Sequence, residues 1–285
     1  MKSRWMGAIF IAPATLLLLI FYIAPIFYSA RLGFYNVRFG VLEWVGFANF
    51  KIVLYPGPFW DAIRTSGKFL CAILFFDLVL AYMIALGLDR LNPRIAALMR
   101  TCYYLPVVLS AVATISVWRW FFRYGGGAFN KILSMLSLPL VMWLGHPRIA
   151  PWALCLALSM GTIGISTLLY SAALGQLNVD WLDAARIDGA SELRIIWHII
   201  TPLIRPTMFY IFITNTIGAF QIWAHPYFFT GGGPLGSTST VAYEIFNTAF
   251  GRNDFGLASA MTAVTSVLTI FLAWFFLRWS GFGHE

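Results

Sequence analysis

Residues 7–30 form one apolar run without a charged side chain. No other feature limits the fold as strongly. A hydrocarbon core ~30 Å thick takes ~20 apolar residues as a helix. It offers no water to backbone N–H and C=O groups, so a spanning segment must satisfy them internally. Further runs that are largely apolar follow at about residues 65–88, 102–122, 149–174, 207–224 and 257–279. The expected fold is all-α: a polytopic membrane protein of about six transmembrane helices, with residues 1–285 as a single transmembrane domain. A secretory signal also begins basic and then apolar, but its apolar stretch is only ~7–15 residues. The first run is longer and holds Pro13 and Pro25. Membrane helices tolerate proline where neighbours satisfy the freed carbonyl, so the run is read as the first span.

The charge content agrees. Only 11% of the residues are charged and 60% are hydrophobic, whereas soluble domains carry ~25% charge. The net charge of +8 suits a chain lying between anionic lipid surfaces and calls for no nucleic acid. Cys71, Cys102 and Cys155 fall in apolar runs without metal-ligand spacing, and read as small buried hydrophobes. Asp77 lies well inside the second run. An unpaired charge there is costly, which leaves two readings open: a pathway or pairing residue, or a hydrogen bond to a neighbouring helix. Trp118, Trp120, Phe121 and Phe122 mark an interface, with Arg119 and Arg123 reaching for headgroups.

Residues 177–206 are the long polar interruption of the second half. They read as two short helices with a corner. Asn178 caps the first helix, Asp180 sits in its first turn and Arg186 in its last, an order that suits the helix dipole. Gly189 is placed to end it in a left-handed conformation. Ser191 is placed to cap the second helix, which Pro202 stops or kinks. Residues 193–200 are apolar on nearly every side, so this helix is expected at a membrane surface or in a partner's groove.

The residues of this corner carry a resemblance. Asp183-Ala184-Ala185, Asp188-Gly189-Ala190, then Ile199 and Pro202, resemble the EAA loop of ABC importer permeases. In that family the loop is a cytoplasmic coupling helix that docks on an ATPase subunit. Two positions depart from the pattern: Asp183 stands for the usual Glu, and Thr201 for the usual Leu before the Pro. Trp44-Val45-Gly46-Phe47-Ala48-Asn49-Phe50 resembles the stretch after the first helix of sugar-type permeases, and also suits an interfacial aromatic belt. Thr230-Gly231-Gly232-Gly233-Pro234, with Ser237, Thr240 and Tyr243 behind it, resembles their external loop and short helix near the binding protein. Asn253-Asp254-Phe255-Gly256 resembles their entry into the last helix. Gly125-Gly126-Gly127 ahead of Lys131 is no phosphate loop, because Asn130 and Ile132 flank the lysine. It resembles their G-x-x-N external turn.

The resemblance implies a type I permease subunit of the maltose-type family, in a bacterial or archaeal cytoplasmic membrane. It implies a second homologous permease, two ATP-binding subunits, an external substrate-binding protein and a carbohydrate substrate. The chain itself then needs no cofactor, since ATP and Mg belong to the ATPase subunits. Basic residues leave orientation open: Lys2, Arg4, Arg90, Arg94, Arg100, Arg186, Arg194, Arg205 and Arg278, nine of the 19, lie on the coupling side. The coupling loop orients the chain instead, with both termini cytoplasmic.

The substrate path is expected along the fifth helix, where Asn215, Gly218, Ala219 and Ile222 share one face at i, i+3, i+4 and i+7. Gln221 sits ~120° around the helix from that face. Thr162 and Ser166 of the fourth helix are placed to face the same cavity. The alternative is that Asn215 bonds a neighbouring helix and Thr162 packs. The matching stretch of sugar permeases lines the sugar site. A glycerol-phosphate or other small polar solute is the alternative cargo. A membrane enzyme would need a nucleophile with its base or a metal cluster. Of His146, His198, His225 and His284, only His225 lies near the core, and neither H-E-x-x-H nor G-x-S-x-G occurs. No catalytic or metal residue is expected.

Overall fold

The computed structural model describes residues 2–279. The tail of residues 280–285, with His284, lies outside the described residues. Four stretches are long and apolar enough to cross a membrane: Phe10–Leu32, Pro58–Asp89, Ala150–Leu174 and Phe255–Arg278. Two bent pairs, Pro93–Val108 with Ala111–Phe121 and Glu192–Leu203 with Arg205–Ala219, bring the spans up to six if each pair is one span.

The chain divides into two compact units. One comprises residues 2–60 and 244–271. Here α1 (Lys2–Leu18) passes through a π turn into α2 (Ala24–Leu32). A hairpin follows, β1 (Tyr35–Arg38) and β2 (Val41–Trp44), paired antiparallel with Tyr35 opposite Trp44. It leads to α3 (Ala48–Leu54), so the stretch between the first two apolar runs is largely ordered into elements. Asn49 explains the order. Its buried amide donates to Gly33 O at 3.0 Å and Tyr35 O at 2.9 Å, tying α3 to the end of the first span. Phe34 packs on Trp44, Phe47 and Phe50 with ring centroids 4.9–5.8 Å apart. In the same unit Arg38 pairs with Asp254, whose other oxygen accepts from Leu257 N at 3.0 Å and caps the last helix. Gly256 is needed for close approach: a Cβ there would lie 2.0 Å from Tyr35 O.

The second unit comprises residues 61–243 and 272–279. The second span is α4 (Pro58–Leu74), a π turn at Phe75–Leu80 and α5 (Ala81–Asp89). Next comes α6 (Pro93–Val108), capped by the Asn92 side chain on Arg94 N at 3.0 Å with Pro93 in its first turn. The basic residues Arg94 and Arg100 therefore lie on a helix. The third span is not one helix over 102–122. Pro106 denies α6 a hydrogen bond, Leu109 turns extended, and Ser110 caps a fresh helix, α7 (Ala111–Phe121), inclined 102° to the first. After α8 (Ala128–Met135), α9 (Ala150–Leu174) is the fourth span, close to its expected bounds. Gly164 lets α6 touch it, since a Cβ would lie 2.2 Å from Tyr103 O.

The polar corner holds α10 (Val179–Ile187) and α11 (Glu192–Ile195). A π turn at Ile196–Ile200 and α12 (Thr201–Leu203) lead to α13 (Arg205–Ala219). The expected fifth helix over 207–224 stops five residues early. Gln221 N closes a tight turn on Gly218 O at 2.9 Å, and the carbonyl of Ile222 accepts from the Thr240 hydroxyl. The chain continues as α14 (Ala224–Thr230), α15 (Val241–Phe246) and α16 (Phe255–Trp279). Two apolar clusters hold this unit. One joins Ala81, Tyr82, Ile163, Tyr170, Ile195 and Ile204, and the other joins Phe69, Ile115, Phe122, Leu154 and Phe229. Cys155 is buried in the second cluster, but Cys71 and Cys102 are exposed. Cys71 lies two positions from the fully buried Phe69, which turns it to the other side of its helix.

Candidate functional site

Two groups of side chains stand out, one at the polar corner and one inside the spans. At the corner, the Asn178 side chain caps α10 by accepting from Asp180 N at 2.9 Å. Gly189 ends the helix at φ +81°, with Ala190 N on Ala185 O and Gly189 N on Arg186 O, both at 3.0 Å. Nothing lies within 4 Å of a Cβ at Gly189, so glycine is there for the backbone and not for space. Ser191 occupies the cap position of α11 without a capping bond.

Asp183 is held by Arg186 at 2.7 Å, and Arg186 reaches around the corner to Glu192 at 3.0 Å. Glu192 in turn pairs with Arg90 at the end of α5, at 2.9 Å. All four side chains are about half exposed, so each pair adds under ~1 kcal/mol. Their effect is geometric: they tie the corner to the second span. Ala185 and Ala190 pack on the first apolar cluster, whereas Ala184 and Asp188 are exposed.

The second helix of the corner differs from expectation. It is not free on all sides, because Ile195 and Ile200 are buried in this chain's own core. Leu193 and Trp197, with Val179, Trp181 and Ile187 of α10, remain exposed. The break falls at Ile204, two residues beyond Pro202, where α13 turns away by 66°. Thr201 hydrogen-bonds the Tyr82 hydroxyl of the second span at 2.9 Å, which accounts for a polar residue at this position.

Inside the spans, the structure brings together Asp77, Thr162 and Asn215. Asp77 sits in the π turn of the second span and is fully buried. One carboxyl oxygen accepts from Thr162 Oγ1 at 3.2 Å and the other from Asn215 Nδ2 at 2.7 Å. Ser166, also buried, interacts with the same carboxyl. Asn215 thus bonds a neighbouring helix, the alternative to a free place on the path. The expected four-residue face is only partly present. Gly218 is exposed and Ala219 buried on α13, while Gln221 and Ile222 lie past the helix end, with Ile222 packed in the second apolar cluster.

Residues 77–279 match the sequence profile described as "Binding-protein-dependent transport system inner membrane component". The chain belongs to this family. It is a multi-pass permease subunit of ABC importers, not an enzyme. The permease is 30% identical over 287 residues to the trehalose/maltose transport system permease protein MalF of Thermococcus litoralis, covering 100% of this chain and 96% of that one. It is 29% identical to the lactose transport system permease protein LacF of Rhizobium radiobacter over 86% of this chain and 83% of that one. It is 28% identical to the sn-glycerol-3-phosphate transport system permease protein UgpA of Agrobacterium fabrum over 94% and 92%. Its fold is that of a bacterial ABC transporter involved in alginate import, with TM-score 0.88 at 20% identity over 100% of this chain and 98% of that one.

The remaining signals of the permease are structural. Asn130 of the G-x-x-N turn is buried and pins Tyr124 and Val141 with three hydrogen bonds of 3.0–3.1 Å. His225 stacks near Phe229 in α14, and burial pushes its imidazole down to about 4. It is therefore neutral at physiological pH. Sequence reasoning missed Glu192, Arg90 and the Tyr82–Thr201 pair, because no local pattern links partners so far apart in the chain.

Proposed function

We propose that this permease passes a carbohydrate, delivered by an external binding protein, across a bacterial or archaeal cytoplasmic membrane by alternating access. In this reading it pairs with a second, homologous permease. Two ATPase subunits, which carry ATP and Mg²⁺, dock on the exposed apolar side of the corner. The observation that carries the reading is the corner itself: a capped helix closed by a left-handed glycine and bound through Arg186, Glu192 and Arg90 to the second span. A push on α10 would pass by that route to α5, and through Ile195, Ile200 and Ile204 to the core under α13.

The substrate face is then Asn215 and Gly218 of α13 with Thr162 and Ser166 of α9, organised about Asp77. Gln221 adds an exposed amide just past the helix end, while Ala219 and Ile222 back the face from within the packing. This cluster offers a carboxyl, an amide and hydroxyls without a cation. It suits a polyol, whereas a phosphate ester would call for arginine. Carbohydrates named for the trehalose/maltose and lactose relatives favour the same class.

The test is a ligand screen on the binding protein that co-purifies with this chain, using maltose, trehalose, lactose and sn-glycerol 3-phosphate. Binding of a sugar, and its ATP-dependent uptake by the reconstituted complex, is the expected result. Uptake of glycerol phosphate alone would overturn the carbohydrate assignment.

A further inference from the structure

A cavity of about 560 Å³ in the second unit lies away from both the corner and the Asp77 cluster. Arg119, Trp120 and Phe122 of the α7 end line it, with Arg123 and Tyr124 just beyond and Trp143 on the segment before α9. Phe229 of α14 closes it. Its place in the membrane follows from connectivity. The end of α9 leads directly into the coupling corner, so the start of α9 lies at the opposite face. Likewise α14 follows the end of α13 that is remote from the corner.

Three observations make this cavity a site. First, no acidic residue occurs between Asp89 and Asp180, while Arg119, Arg123, Lys131 and Arg148 fall on the outer part of that stretch. Neither Arg119 nor Arg123 forms an ion pair among the described residues. Second, these cations stand at the outer end of the spans, against the usual inward bias of lysine and arginine. Third, the lining side chains Trp120, Tyr124 and Trp143 are amphipathic aromatics, the kind that settles where headgroups meet the apolar core.

We propose that this cavity binds the phosphate of an anionic phospholipid in the leaflet opposite the coupling corner. Guanidinium groups present paired donors that match phosphate oxygens bidentately. Tyr124 supplies a hydroxyl. Trp120, Phe122 and Phe229 give the aromatic wall that settles at headgroup depth. A soluble phosphate shares the oxyanion chemistry but has no use for that apolar rim.

The test uses the assembled importer in phosphatidylcholine nanodiscs containing phosphatidylglycerol, with native mass spectrometry of the released complex. Wild type should retain phosphatidylglycerol, and Arg119→Gln with Arg123→Gln should weaken retention by about tenfold or more, the size of one lost charged hydrogen bond. Lys131→Gln with Arg148→Gln, outside the cavity lining, should retain it. Equal retention in the Arg119/Arg123 variant overturns the site. So does equal loss in the Lys131/Arg148 variant, which would indicate diffuse surface charge. Displacement of the lipid by inorganic phosphate or sn-glycerol 3-phosphate overturns the lipid as ligand. If the glutamine variant does not assemble, Arg119→Lys with Arg123→Lys keeps the charge and removes the fork. Retention should still fall, and unchanged retention refutes the bidentate site.

Discussion

Substitution of Gly189 separates backbone conformation from side-chain contact at the coupling corner. The residue sits at φ +81° with nothing within 4 Å of where a Cβ would stand, so a new side chain meets no steric barrier. The cost is the left-handed backbone alone, ~1–2 kcal/mol for an ordinary L-residue. A β-branched residue costs more, and Asn costs less because its short polar side chain bonds locally. We expect coupling to fall in the order Gly, Asn, Ala, Val. At ~2 kcal/mol the native corner loses a factor of ~30 in its local equilibrium. The lost closures are Ala190 N on Ala185 O and Gly189 N on Arg186 O, and with them the approach of Arg186 to Glu192. The assay is substrate-stimulated ATP hydrolysis beside uptake in proteoliposomes, at matched membrane insertion. Gly189→Val with normal uptake and stimulation would refute the coupling role. Gly189→Asn failing as badly as Val would show that conformation is not what matters.

Other expectations concern the buried cluster and the charge chain. Asp77→Leu strands the Asn215 amide and should destabilise the bundle by ~1–2 kcal/mol, read as a lowered denaturation midpoint in detergent, whereas isosteric Asp77→Asn should lose less. An unchanged midpoint in the Leu variant would show that the bond contributes nothing. Asn215→Leu should abolish uptake or change which sugar is taken up, while the complex assembles and keeps basal ATP hydrolysis; wild-type preference would remove Asn215 from the path. Glu192→Gln breaks two exposed pairs worth under ~1 kcal/mol each, so thermal stability should barely move while ATP turnover per sugar transported rises. A large stability loss with normal coupling would reverse that assignment.

Features that depend on near neighbours along the chain are legible in the residues alone. Apolar runs set the spans, because each backbone group in a bilayer must bond within its own helix. Asn178 and Gly189 marked the ends of α10, since a cap and a left-handed turn are settled within about five residues. Contacts between distant segments settle the rest. Asp77 meets Asn215 across 138 residues, and Glu192 meets Arg90 across 102. Beyond the early end of the fifth helix Thr240 bonds the Ile222 carbonyl, 18 residues away, and Cys71 and Cys102 face outward although their runs are apolar. Hydropathy says that a helix enters the membrane, not which of its sides meets protein. That choice is made by how the helices pack, where a glycine such as Gly164 admits a neighbour's backbone and a buried carboxyl selects its donors.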